Sequence, residues 1–83
     1  MIIRVTQQNI DNGVRQQYDA CPVALALRDA TAREWQVTKN YAQYALGSLI
    51  LALPETARDF IRSFDAGREV RPFEFDLLLE GKS

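Results

Sequence analysis

Cys21 is the one residue of this 83-residue chain with nucleophilic chemistry of its own, and Pro22 after it marks a helix start. At that position backbone N–H groups and the helix macrodipole stabilise a thiolate, which lowers a thiol pKa and activates the sulfur. The bland alternative is that free cysteine is among the most buried residue types and simply fills the core. The chain has no histidine to serve as general base or zinc ligand, and one cysteine makes neither a disulfide nor a CxxC metal clip. Asp19, two residues earlier, would oppose ionisation. The residues therefore favour a structural thiol, in a chain read as cytoplasmic because it uses no disulfides.

Arginine is the second candidate. Eight of the ten cations are arginine, and Arg58, Arg62, Arg68 and Arg71 fall close together. Guanidinium forks capture carboxylate or phosphate bidentately, so Arg58, Arg62 and Arg71 form a candidate anion site for a small-molecule-binding or regulatory subunit. Interleaved Glu55, Asp59, Asp65 and Glu69 would neutralise it. There is no glycine-rich phosphate loop, no spaced acid/base carboxylate pair and no ordered set of metal ligands. The expectation is a protein that is not an enzyme, with no cofactor and no metal.

These residues must be positioned by few elements. With 47% apolar residues, 25% charged residues and a net charge of -1, residues 1–83 make one small domain. Ten Lys+Arg against eleven Asp+Glu argue against nucleic acid as the partner. The apolar run from Ser48 to Pro54 is far short of the ~20 residues that span a bilayer, and the start lacks a secretory pattern, so no membrane partner is expected.

The β-branched run Ile2, Ile3, Val5 predicts a strand, and Thr6 can cap a helix that stops or kinks near Gly13. Pro22 opens a second, buried helix through Ala30. A hairpin turning at Lys39-Asn40 would put Trp35, Val37, Ala42 and Tyr44 on one face, with Gln36, Thr38, Tyr41 and Gln43 on the other. A bulge at Gly47 would carry that strand on as a central strand, with Leu51 and Leu53 inward and Ile50 and Ala52 outward. Ala57, Phe60, Ile61 and Phe64 recur at helical spacing between Pro54 and Gly67, and Phe73, Phe75, Leu77 and Leu79 alternate on a last strand. The expected fold is α+β, a two-layer sandwich of order βαββαβ, ferredoxin-like, with helices on one face of a four-stranded mostly antiparallel sheet. Another small α+β sheet is the alternative.

Val5-Thr6-Gln7, Ile10-Asp11, Gly13, the run Cys21 to Ala30, Leu53-Pro54, Ala57, Phe60-Ile61, Phe64-Asp65, Gly67, Val70, Pro72-Phe73 and Phe75 resemble a group of short bacterial and phage proteins. The group has no established function, so the resemblance carries over no activity, cofactor or site residue. It implies a mobile-element accessory protein that binds a host protein. The open face of the predicted sheet suits that role or a homodimer: Trp35, Tyr41, Gln43, Ile50, Ala52 and Leu78 are the candidate protein interface. An RNA-binding use of that face is disfavoured, because the first strand has no aromatic and Glu74 and Asp76 would repel phosphate.

Overall fold

The computed structural model of the protein describes residues 2–44 and 50–77. Strand β1 (Ile2–Val5) alternates as its sequence dictates, with Ile3 and Val5 buried and Ile2 and Arg4 exposed. Thr6 then caps α1 (Gln7–Asn12) reciprocally. Asn9 N–H donates to Thr6 Oγ1 at 3.1 Å, and Thr6 N–H donates to Asn9 Oδ1 at 2.9 Å. Asn9 is buried, and its Nδ2 donates onward to Asp29 Oδ2 at 3.0 Å, fastening α1 to α2 (Pro22–Thr31). Gly13 ends α1 where a Cβ would lie 2.6 Å from Cγ and Cδ of Pro22, so only glycine lets the two segments pass. The helical region expected from Gln7 to Ala30 is therefore two helices. The second buries Val23, Ala24, Ala26 and Leu27 and packs on α1, β1 and β2.

Three consecutive strands follow: β2 (Trp35–Val37), β3 (Tyr41–Tyr44) and β4 (Ile50–Ala52). Trp35 opposes Tyr44, Gln36 opposes Gln43 and Val37 opposes Ala42, the register that side-chain parity demands. Lys39-Asn40 is a poor turn on its own. Thr38 completes it, its Oγ1 accepting from the N–H groups of Asn40 (3.3 Å) and Tyr41 (3.1 Å). Helix α3 (Glu55–Asp65) turns Ala57, Phe60 and Ile61 inward. The chain leaves it through Gly67 at φ +79, a left-handed conformation suited to glycine. Strand β5 (Phe73–Asp76) pairs antiparallel with β1.

The fold is α+β, but the described strands form a two-stranded sheet, β1-β5, and a three-stranded sheet, β2-β3-β4, in place of the single four-stranded sheet of a ferredoxin-like sandwich. The cause is a reversal of the chain. The run expected as one bulged strand folds back, so that β4 pairs antiparallel with β3, with Tyr41 opposite Ala52, Ala42 opposite Leu51 and Gln43 opposite Ile50. This makes β4 an edge strand and not a central one. Reversal also inverts parity, so Ile50 and Ala52 are exposed, as expected, while Leu51 faces inward beside Ala42. The Gly47 bulge itself lies outside the described residues. The core joins Ile3, Leu27, Trp35, Ile61, Phe75 and Leu77. Phe60 links α3 to β5 through Phe73, with ring centroids 4.7 Å apart.

Candidate functional site

The register of the three-stranded sheet builds its outward face from two cross-strand rows. Gln36, Gln43 and Ile50 stand opposite one another in one, and Tyr41 and Ala52 in the other, with Thr38 beyond Tyr41. Ile50 is 54% exposed and Tyr41 41%; Ala52 is exposed and Gln43 half-buried. A branched aliphatic and an aromatic thus sit in water within amide and hydroxyl groups, the pattern of a contact patch. The exposed face of the other sheet also carries an exposed aliphatic, Ile2, but there Arg4 and Glu74 oppose each other as a solvated ion pair at 3.4 Å.

Four of the six expected interface residues, Tyr41, Gln43, Ile50 and Ala52, share this face. Trp35 does not. It is 3% exposed, packs on Tyr44 with centroids 5.6 Å apart and donates from Nε1 to Thr31 Oγ1 at 2.9 Å. It is a core residue, because odd positions of β2 point inward and the indole N–H finds its partner on α2. Tyr44 shares that inner face, where Arg33 donates to its hydroxyl at 2.6 Å and lies 5.2 Å over its ring. Leu78 lies outside the described residues.

Cys21 caps α2 as expected, its Sγ accepting from Ala24 N–H at 3.4 Å. The activating geometry loses to burial. At 4% exposure, desolvation pushes the thiol pKa up, the backbone N–H groups of Ala24 and Val23 only partly oppose this, and the carboxylate of Asp65 adds to the rise. The acidic neighbour is Asp65, brought from α3, and not the sequence-adjacent Asp19. A small pocket of about 190 Å³ reaches Cys21 between Tyr18, Val37 and Ile61.

The structure does not bring Arg58, Arg62 and Arg71 to one opening. Arg62 is ion-paired with Asp59 on the solvated side of α3. Arg71 lines a depression that also holds Asp59, Glu69 and Glu74, so carboxylates outnumber the cation there. Arg58 is half-buried on α3 and borders neither.

Sequence reasoning missed the segment from Val14 to Ala20. Tyr18, 56% exposed, turns its carbonyl to accept from Val37 N–H at 2.6 Å, so this loop closes the outer edge of β2. Backbone bonds made by an irregular loop leave no mark in side-chain periodicity. No family model, curated protein or solved structure matches the chain. Among the described residues no helix is long and apolar enough to cross a membrane.

Proposed function

We propose that this protein is a non-enzymatic, protein-binding accessory module that engages its partner through the outward face of β2, β3 and β4. The observation that carries this reading is Ile50, a large aliphatic held 54% exposed at the start of β4, on the same face as an exposed tyrosine. Inward-facing Leu51 and Ala42 serve the core at that level, and Ile50 is not part of it. Covering it with a partner recovers part of the ~1.5–3 kcal/mol that burying an isoleucine is worth. Tyr41 adds an amphipathic ring suited to an interface centre, and the Gln36 and Gln43 amides supply the polar rim.

The resemblance to short bacterial and phage proteins supports a cytoplasmic host protein as the target, with steric occlusion as the mode of action. Such inhibition needs no catalytic group. The depression around Arg71 lends no comparable support to the anion-binding alternative, because Asp59, Glu69 and Glu74 outnumber the one cation in its lining.

The test is capture with tagged protein from nuclease-treated host lysate, read by mass spectrometry and compared with Ile50→Glu. One host protein should be retained stoichiometrically by the native chain and lost from the variant, while the circular dichroism spectrum and melting cooperativity stay unchanged. Capture that survives in a folded Ile50→Glu, or that yields no partner at all, refutes the face as a docking surface.

A further inference from the structure

Backbone groups of an antiparallel strand alternate in direction, so two hydrogen bonds set the phase of the three-stranded sheet. Thr38 N–H donates to the Tyr41 carbonyl at 2.8 Å, which turns Tyr41 and Gln43 towards β2. Leu53 N–H donates to the Asn40 carbonyl at 3.1 Å, which turns Asn40 and Ala42 towards β4, answered by Leu53 and Leu51. Ile50 and Ala52 must then direct their N–H and C=O groups away from β3, along the outer edge. The opposite edge is treated differently, because the outward Val37 N–H is taken by the Tyr18 carbonyl. Among the described residues nothing pairs with the outer edge of β4. The strand Ile50-Leu51-Ala52 also carries neither charge nor proline, the usual guards of an open edge.

We propose that β4 pairs antiparallel with β4 of a second copy about a two-fold axis at Leu51, joining two three-stranded sheets into one of six strands. In that register Ile50 faces the partner's Ala52 and Ala52 the partner's Ile50. Each pair exchanges two hydrogen bonds, so all outward groups of both residues are satisfied. Sliding by one residue sets outward-directed groups against inward-directed ones, and sliding by two leaves a single bonded pair. Opposed residues share a face, so the exposed Ile50 lies beside the small partner alanine twice over, a match of bulk to space. The uncharged edge meets itself without like-charge repulsion. This complementarity of the edge with its own copy selects a second chain over an arbitrary peptide. The strand is only three residues long, so the dimer is weak and concentration-dependent. The backbone edge is separate from the sheet face and pairs whether or not that face binds another protein.

Amide hydrogen exchange of the labelled full chain tests it, at about 20 μM and about 1 mM, where mass action moves a weak dimer from minor to major. The Ile50 and Ala52 amides should slow several-fold at the higher concentration, the Leu51 amide, bonded to β3 in both states, should not change, and sedimentation should show the mass doubling. Ala52→Pro removes an outward N–H and no bond within the chain, and should weaken the dimer at least ~10-fold with melting cooperativity intact. Tyr41→Ala leaves the edge untouched and should dimerise like the native chain, whatever it does to capture of another protein. A chain that is monomeric at about 1 mM with unchanged exchange, a dimer whose Ile50 and Ala52 amides stay unprotected, or a dimer lost in Tyr41→Ala would each overturn the proposal.

Discussion

Replacing Gly13 with alanine isolates steric contact from backbone conformation. Gly13 sits at φ -71 and ψ 151, extended backbone open to any residue, so glycine is not needed there for its dihedral angles. Alanine should in fact gain about 0.4–1 kcal/mol by restricting the unfolded chain. Against this, the new Cβ would lie 2.6 Å from Cγ and Cδ of buried Pro22 and 2.9 Å from its backbone nitrogen, none of which is the free end of a flexible side chain. Forced overpacking of this kind costs about 1–3 kcal/mol, so the net expectation is a loss of about 1–2 kcal/mol. For a domain of this size that is a fall of roughly 5–15 °C in Tm. Thermal and urea unfolding followed by circular dichroism measure it. Pro22→Ala removes the two nearest atoms, so in that background the same substitution should cost at least ~1 kcal/mol less. Gly13→Ala as stable as the native chain, or equally costly with and without the Pro22 ring, would refute the steric argument.

Two further outcomes follow from buried polar groups. Burial raises the Cys21 pKa, so the unfolded thiol ionises first as pH climbs; its contribution is full below the ordinary thiol range of about 8.5 and is lost progressively above it. Urea titrations between about pH 7 and 10 should therefore show a steeper alkaline decline for the native chain than for Cys21→Ala, and equal slopes would refute the burial argument. Asn9→Ala removes the side-chain half of the Thr6 capping box and the bond to Asp29 while keeping the backbone half, and should cost about 1–2 kcal/mol by denaturant unfolding; unchanged stability would show that the Asn9 side chain contributes nothing.

The parts of this structure legible in the sequence are those written in side-chain alternation. The Trp35–Tyr44 pairing, the Thr6 and Cys21 caps, the inward face of α3 and the exposure of Ile50 all follow from period, proline and parity. Parity is blind to direction, however. The same outward Ile50 results from a bulge in one continuing strand and from a reversal into a new one, and that ambiguity turned the expected central strand into the edge β4. Trp35 illustrates a different limit: parity sorts it onto the face of Val37 and Tyr44, but which face is covered is set by packing, and the Thr31 hydroxyl on α2 that accepts its N–H belongs to that packing. Cys21 illustrates a third, since its helix position lowers a thiol pKa while the depth at which that helix lies raises it, and depth belongs to tertiary packing.

The two sheets differ sharply in how far the chain must travel to make them. Strands β2, β3 and β4 are neighbours in sequence, whereas Val5 and Phe73, the innermost pair of the β1–β5 ribbon, are 68 residues apart. Closing so long a loop costs about 2.5 kcal/mol more conformational entropy than closing a four-residue one. The order of assembly should follow that difference, with the local meander and its helix α2 organising first and the ribbon zipping last, onto a surface already made by α2. Early in folding, then, β4 would already present its bare edge while β1 and β5 are still apart, and crowding of nascent chains at that stage would favour strand exchange between copies over the correct ribbon.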